Sequence, residues 1–541
     1  MIRRMLRLSR AGAVLAALLC AAPLAAQSAD ALRAQARQAY GQRDFAASAA
    51  LYLRLTAMPE ASATDLYDAA CSAALAGRAP EALALLRRAL DAGFEGYALL
   101  ERDPDLASLR ALPEWEGVAA AARAAAEERD RRMAELPQPG PVLMRMQSAG
   151  YLPTYLALEE MAAAHPDAPA PWQGALDELR AWVRAMVGDA PGALALEPAQ
   201  APPGPLAAGF DDLRPEDAVP AILQAARGRR LVMVNEAHHV AQGRVLTLEL
   251  LAGLHAQGFR YLAVEAVGLA EGEALARNGY PTLSTGLYTR EPVFGDLLRQ
   301  ALAMGWTLVP YDTWPAGCRP TPEDPNRCNT LRDSMAAENI HAATFGRDPQ
   351  ARVLVHAGYS HVVKVPRPGG TRWLASWLQA RGLDPLTVDQ TEMRETGPGA
   401  GPPAAYLRAE ERGWLTGPVV LREPGGGWYR GAAQGFGSVD LQVFTPRART
   451  LHGRPDWLFT RGGRTAVPLA RALGAPLPGE GGPFLVQAFV WSEGADAVPM
   501  DQVLVPAGGA PPPALALRPG RYRVVVVGRA GEVARGEVTV P

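Results

Sequence analysis

Four short apolar segments, each followed at once by polar side chains, constrain the fold of this chain more than any other feature. They are LVMV at 231–234, YLAVEA at 261–266, TLVPYD at 307–312 and VLVHA at 353–357. Stretches with helical periodicity separate them, at 243–257, 293–305 and 331–344. Continuously apolar strands that alternate with helices are typical of a mainly parallel sheet covered on both faces. The sequence therefore predicts an α/β domain, to which we assign residues 211–467.

The segment before this domain has a helical repeat. DFAASAALYLRL at 44–55 aligns with APEALALLRRAL at 79–90, so the repeat period is 35 residues. This spacing resembles that of tetratricopeptide repeats, in which helix hairpins of about 34 residues stack on one another. Residues 27–135 are therefore predicted to form all-α helical repeats. Such repeats would recruit a protein or peptide partner, or brace the neighbouring domain.

Two further segments complete the predicted organisation. Residues 136–210 combine helical patterns with stretches such as LEPAQAPPGPLAAG, which indicates a helical and Pro-rich linker. Residues 468–541 contain short strand patterns, among them PFLVQAFVWS and ALALRPGRYRVVVVG, which are typical of a small β-sandwich-like domain. We therefore expect a multidomain chain with helical repeats, an α/β domain with a mainly parallel sheet, and a small C-terminal β-domain.

The first 26 residues have the pattern of a secretory signal peptide. Four arginines precede a short apolar stretch, and small residues then lead to a cleavage site after Ala26. A lipoprotein signal ending at Cys20 is the alternative. No later stretch has 18 consecutive apolar residues, so we expect no membrane span after cleavage. We predict a periplasmic or secreted protein.

Cysteine use agrees with export, and the charge balance argues against a nucleic-acid partner. Cys318 and Cys328 flank a Pro-rich, charged loop, and in an oxidising compartment this pair is expected to form a disulfide. A metal site is less favoured because no neighbouring Cys or His completes one. Cys71 lies in an apolar helical run and is predicted to be buried. Lys+Arg number 54 and Asp+Glu 56, so the chain lacks the basic excess of a nucleic-acid-binding protein.

Histidines and carboxylates concentrate at the ends of the four predicted strands. Six of the eight histidines fall between residues 238 and 361. Ligands of parallel α/β sheets bind beyond the carboxyl ends of the strands. The residues that the prediction brings to this edge are Glu236, His238, His239, Glu265, Tyr311, Asp312 and His361.

Each of these residues also has a purely structural interpretation. His238 or His239 could cap a helix, and Asp312 could cap a turn. Glu265 could pair with a structural arginine, and His356 could be a hydrogen-bonded core residue. Their common location at one edge favours a functional site.

At this point the motifs resemble a known family. NEAHHVAQGR, then VEA about 25 residues later, then RDSMAAEN, then a histidine-bearing loop after a strand, resemble the erythromycin esterase-like superfamily. That group is similar to haem-binding lipoproteins and to metal-dependent membrane proteases. The resemblance covers roughly residues 215–395. It implies an esterase-type hydrolase with Glu236 and His239 in its first motif, Glu265 as its second acid and His361 as its late histidine.

The leading hypothesis is therefore hydrolysis of a small-molecule ester or lactone without a metal. His239 would be the general base, Glu236 and Glu265 would orient it, and His361 with Arg244 would stabilise the oxyanion. No GxSxG motif is present, which argues against a usual α/β serine hydrolase. The residues predicted to bind substrate are His238, Tyr311, Asp312, Arg332, Glu338 and Asn339.

Two alternatives remain open at this stage. In the first, a divalent metal such as Zn or Mn is held by Glu236, His239, Glu265 and His361, a donor set that suits these ions. In the second, the chain is an exported binding protein that holds haem or a metal without chemistry, while its repeats recruit a partner. Metal analysis tests the first alternative, and a Soret band on the purified protein would favour the second.

Overall fold

A computed structural model describes residues 28–94, 96–198, 206–321, 324, 326–365, 371–399, 401–430, 439–477, 482–508 and 511–541. The predicted signal peptide, residues 1–26, lies outside the described residues. The chain divides into two compact units, Met1–Leu136 and Pro137–Pro541. Among the described residues, no helix is long and apolar enough to cross a membrane.

The described part of the first unit is helical, as predicted. Its helices are α1 (Ala29–Gly41), α2 (Phe45–Leu55), α3 (Ala63–Leu75), α4 (Ala79–Asp91), α5 (Tyr97–Arg102) and α6 (Trp115–Glu135). Small apolar residues are buried where these helices pack: Ala36, Ala49, Ala70 and Ala82 are at most 1% exposed. Gly77 has a φ of +76° at the turn before α4, a conformation that favours glycine.

The second unit begins with five helices. These are α7 (Gly140–Met144), α8 (Met146–Ala149), α9 (Tyr151–Ala164), α10 (Ala170–Met186) and α11 (Ala190–Leu194). They lie in the segment predicted to be a linker, yet they belong to the same compact unit as the sheet. Tyr151 shows the attachment: its buried hydroxyl donates to the backbone oxygen of Arg290 over 2.8 Å. Prolines lie in the first turn of α7, α10 and α11, and Gly150 follows the last residue of α8, so Pro and Gly here mark the ends of helices rather than an extended linker.

The eight-stranded central sheet is mostly parallel, as predicted. Its strands are β1 (Arg214–Asp217), β2 (Leu231–Glu236), β3 (Tyr261–Val264), β4 (Thr307–Pro310), β5 (Val353–Gly358), β6 (Leu386–Asp389), β7 (Val419–Arg422) and β8 (Leu441–Phe444). Their order across the sheet is β1-β7-β8-β6-β2-β5-β3-β4. The pairs among β4, β3, β5, β2, β6 and β8 are parallel, and β7 pairs antiparallel with both of its neighbours. The four strands expected from apolar runs are all present.

Helices accompany the strands of this sheet. They are α12 (Ala218–Ala225), α13 (Gln242–Ala256), α14 (Leu269–Asn278), α15 (Pro292–Ala303), α16 (Arg327–Ala343), α17 (Leu374–Gln379) and α18 (Ala404–Glu411). Alternate residues of β2 enter different cores: Val232 and Val234 pack with α12, α13 and α15, and Leu231 and Met233 pack with α16 and α17. Both faces of the sheet are therefore covered, which is why its strands are apolar throughout.

The C-terminal part forms a small antiparallel sheet, again as predicted. After a two-stranded hairpin of β9 (Thr450–Leu451) and β10 (Arg454–Pro455), the remaining elements are α19 (Trp457–Thr460), β11 (Thr465–Val467), α20 (Leu469–Leu473), β12 (Phe484–Val490), β13 (Asp501–Val505), β14 (Leu515–Leu517), β15 (Gly520–Gly528) and β16 (Gly531–Val540). Four strands make one sheet in the order β13-β12-β15-β16, and β11 pairs with β14.

Buried ion pairs join this C-terminal part to helix α15. The carboxylate of Asp296 accepts from Arg464 over 3.0 Å and from Arg518 over 2.8 Å. Arg299 donates to Glu493 over 2.7 Å. Asp296 and the side chain of Arg464 are at most 1% exposed, so each charge depends on the other for compensation. The C-terminal part therefore holds α15 by charge as well as by apolar packing, since Val293 of α15 packs with Trp457 and Ala516.

We expect Asp296→Ala to lower the free energy of unfolding by about 3–5 kcal/mol, because it leaves the buried Arg464 guanidinium without its carboxylate. Urea unfolding measures this loss. Glu532→Ala is the matched control, since it removes an exposed ion pair with Arg535 and should leave the unfolding midpoint unchanged. Equal unfolding midpoints for both variants would contradict a stabilising role for the ion pair between Asp296 and Arg464.

Candidate functional site

The carboxyl ends of β2, β3, β4 and β5 bring the predicted polar residues to one edge. Glu236 is the last residue of β2, and Glu265 follows β3 directly. Asp312 lies two residues beyond β4, and His361 lies in a short 3-10 turn, Tyr359–Val362, just after β5. Neighbouring strands that are parallel end at the same edge, which is why segments so distant in sequence converge here.

Glu236 lies at the centre of a buried ion-pair network. The Arg244 guanidinium donates to both of its oxygens, over 2.6 and 2.9 Å, and also to Glu291 over 2.8 Å. His238 Nδ1 and His356 Nε2 lie 3.0 and 3.2 Å from the Glu236 oxygens. Burial alone would raise the pKa of Glu236, but Arg244 and the two histidines hold it well below its usual range. Glu236 is therefore ionised.

An ionised Glu236 sets the tautomer of His238. A carboxylate only accepts hydrogen bonds, so His238 Nδ1 carries the proton and Nε2 is left with a lone pair in the neutral ring. Nε2 faces Glu265 at 4.0 Å, beyond hydrogen-bond distance, and among the described residues none hydrogen-bonds to it. Tyr288 stacks on the ring with centroids 3.6 Å apart. His238 is thus a rigidly held imidazole with one unbonded nitrogen.

Gly358 is required beside this imidazole. A Cβ at position 358 would lie 2.4 Å from His238 Cε1 and 3.0 Å from a Glu265 oxygen. The next residue, Tyr359, has a φ of +34°, a strained conformation for a non-glycine residue, and its ring meets the His238 ring edge-on at 5.1 Å. The end of β5 is therefore shaped around His238.

Glu265 links His238 to a second group of charges. Its oxygens accept from Arg332 over 2.8 Å and from the backbone N–H of Gly358, and His361 Nε2 lies 3.6 Å away. Although burial favours the neutral acid, His361 and Arg332 lower the pKa of Glu265 well below its usual range. Glu265 is therefore a second ionised carboxylate beside the same imidazole.

His361 is held as a cation. Its Nδ1 lies 2.8 Å from Asp333, a buried carboxylate that also accepts from the Leu374 backbone N–H. Burial opposes the charge, but Asp333 and Glu265 raise the pKa of His361 to about 10. His361 therefore adds a fixed positive charge next to Glu265.

His239 occupies a different position from the one predicted. Its Nε2 bonds to Glu197 over 2.6 Å and its Nδ1 lies 3.3 Å from the Tyr359 hydroxyl, so neither Glu236 nor Glu265 orients it. Residues two apart in an extended segment share a side, which places His238, rather than His239, beside Glu236. The sequence carried no signal for Glu197, because it lies in the segment predicted to be a linker.

The other predicted residues divide into two groups. Asp312 binds Arg332 over 2.6 and 2.7 Å, and Asn339 donates to the backbone oxygen of Tyr311 over 2.9 Å, so these four residues belong to the site edge. Glu338 does not, because its side chain is exposed and pairs with Arg381. Arg244 is fully buried behind Glu236, so it can position that carboxylate but cannot reach a substrate.

The cysteine predictions are confirmed. Cys318 and Cys328 form a disulfide between the segment after β4 and the first turn of α16, and Cys71 is free and buried.

In the part of the chain that the structure describes, the four predicted metal ligands do not bring their donor atoms together. Arg244 occupies both oxygens of Glu236, Arg332 binds Glu265, and His239 bonds to Glu197 instead. Among the described residues, only Cys71, Asp103 and Asp105 of the first unit bring three metal-ligand atoms close together. Tyrosine hydroxyls already donate to both of those carboxylates. At the sheet edge, the guanidinium groups of Arg244 and Arg332 compensate the carboxylates of Glu236 and Glu265.

Comparisons with known proteins assign the chain to no family. No family model matches it, and no curated protein matches it. Similar solved structures include the type III effector HopBA1, with a TM-score of 0.29 and 17% identity over 43% of this chain and 95% of that one. A structure described as bacterial protein toxins has a TM-score of 0.27 and 14% identity over 67% of this chain and 90% of that one. RRSP, a MARTX toxin effector domain from Vibrio vulnificus, has a TM-score of 0.26 and 13% identity over 67% of this chain and 87% of that one. The erythromycin esterase-like resemblance stays a prediction.

We expect the charge on His361 to make stability depend on pH. A group whose pKa is raised in the folded state, here from 6.5 to about 10, contributes its full stabilisation below pH 6.5 and loses it as the pH rises through about 10. The difference in unfolding free energy between the wild type and His361→Gln should therefore shrink between neutral pH and about pH 10. Urea unfolding across that range measures it, and a constant difference would contradict a cationic His361.

We expect Tyr311→Phe to unfold at the same or a higher urea concentration than the wild type. Tyr311 is 3% exposed, and its hydroxyl has no hydrogen-bond partner among the described residues. Removing an unpartnered buried hydroxyl costs no hydrogen bond and keeps the packing of the ring. A clear loss of stability would show that this hydroxyl is bonded in the folded protein.

Proposed function

We propose that this chain is an exported hydrolase that activates water with a buried His/Glu site and cleaves an ester or lactone. The observation that carries the proposal is the pairing of His238 with ionised Glu236, which leaves Nε2 as the unbonded nitrogen of the imidazole. Export is supported by the predicted signal peptide and by the disulfide, a bond that persists in oxidising compartments. The helical repeats would then recruit a protein or peptide partner.

In the proposed reaction His238 is the general base. Nε2 takes a proton from water while the water oxygen bonds to the carbonyl carbon. The imidazolium that forms lies between Glu236 and Glu265, both ionised, and they stabilise its charge as the acid does in a catalytic triad. When the tetrahedral intermediate collapses, the bond to the leaving oxygen breaks and His238 returns its proton to that oxygen.

Two cations are available for the negative charge that develops on the carbonyl oxygen. His361 and Arg332 both lie beside Glu265, within 3.6 Å of its oxygen. Fixed positive charges in a site with little water stabilise an oxyanion more strongly than they would in bulk solvent. Arg244, which the sequence suggested for this role, instead keeps Glu236 ionised.

We expect His238→Ala to lower kcat at least about 100-fold, because it removes the general base. His239→Ala should have a smaller effect, since its partner is Glu197. His255→Ala is the control, because His255 lies on α13, outside this cluster, and should leave kcat unchanged. The assay is hydrolysis of a panel of esters and lactones, with circular dichroism to confirm folding.

Three outcomes would overturn the proposal. Full activity of His238→Ala would remove the base assigned above. Stoichiometric metal that EDTA extracts with loss of activity would replace the metal-free reaction with the metal-dependent alternative. Failure of the wild type to hydrolyse any member of the panel, together with a Soret band, would favour the haem-binding protein.

A further inference from the structure

Trp314 is a large apolar side chain left open to solvent beside the catalytic cluster. It is 58% exposed, and Leu331 on α16 is 42% exposed. The Arg332 guanidinium carbon lies 5.7 Å from the centre of the Trp314 ring. The same guanidinium binds Glu265, which lies 4.0 Å from His238 Nε2. Two side chains, Arg332 and Glu265, therefore connect the exposed indole to the proposed base.

The segment that carries Trp314 is held in place at both ends. Asp312, two residues earlier, binds Arg332 through two hydrogen bonds. Cys318, four residues later, is joined by the disulfide to Cys328 in the first turn of α16. Arg332 belongs to the next turn of that helix. The backbone that carries Trp314 is thus tied to α16 on both sides, and a rigid surface costs a bound molecule less ordering entropy.

We infer that Trp314 is a specificity-determining residue that binds an aromatic ring on the substrate, which rests on the hydrolase proposed above. Stacking of another ring on an exposed indole is favourable in free energy, because it buries apolar surface and because ring quadrupoles attract in offset or edge-on contact. A small aliphatic ester presents no ring and would reach His238 without this contact. The preferred substrate class is therefore an ester with an aromatic ring near the scissile bond.

Kinetics with two esters test this inference. For 1-naphthyl acetate, Trp314→Ala should raise KM about fivefold to tenfold with little change in kcat, since stacking is lost but the base remains. For ethyl acetate neither constant should change. Trp314→Phe keeps a ring and should recover most of the affinity for the naphthyl ester.

The matched control is Trp491→Ala. Trp491 is 43% exposed and its ring centre lies 3.8 Å from the guanidinium carbon of Arg521, so it repeats the exposed Trp–Arg pair in the C-terminal part. This variant should leave both KM values unchanged. The inference is overturned if Trp314→Ala behaves like the control, or if KM rises equally for both esters.

A binding measurement separates this inference from the proposed function. If the wild type hydrolyses neither ester, the proposed hydrolase function is overturned. Calorimetric titration with 1-naphthyl acetate then tests whether Trp314 binds an aromatic ring. Binding that Trp314→Ala weakens about fivefold or more and Trp491→Ala does not would support the ring-binding role without catalysis. Absence of binding, or equal binding by both variants, would overturn it.

Discussion

The buried pairing of Arg244 with Glu236 is the interaction on which the rest of the site depends. Arg244 is fully buried, and its guanidinium donates to Glu236, Glu291 and the backbone oxygen of His238. A buried carboxylate without such a partner would take up a proton. Because Arg244 prevents this, Glu236 remains an acceptor, and His238 must place its proton on Nδ1. One ion pair therefore determines which nitrogen can act as a base.

The same arginine connects the site to a distant part of the chain. Its second carboxylate, Glu291, also caps α15 by accepting from the Phe294 backbone N–H over 2.8 Å. One turn further along, Asp296 binds Arg464 and Arg518 from the C-terminal part. The C-terminal part thus stabilises the helix whose N-cap residue, Glu291, binds Arg244. This gives the C-terminal part a physical role at the site although it supplies none of the cluster's side chains.

The predicted fold was recovered because its signals are local. Apolar runs of four to six residues and helical periodicity depend on which faces are buried, and burial on both faces of a parallel sheet leaves a clear pattern. Which of His238 and His239 lies beside Glu236 could not be predicted from such a local pattern. The three-residue spacing of Glu236 and His239 suggested a pair, whereas an extended chain places residues two apart on one side. Glu197 was missed because it lies just after the short helix α11, in a segment rich in Pro and Gly.

The sequence by itself determined the class of fold, the sheet edge where polar residues cluster and the disulfide, since strand-length apolar runs, their polar ends and paired cysteines are all readable along one chain. Only the tertiary structure decided which side chains meet. Arg332 binds both Glu265 and Asp312. Asp333 pairs with His361, and Glu197 hydrogen-bonds to His239. These partners lie up to 67 residues apart, and their pairing follows from the order of the strands in the sheet, which no local pattern specifies.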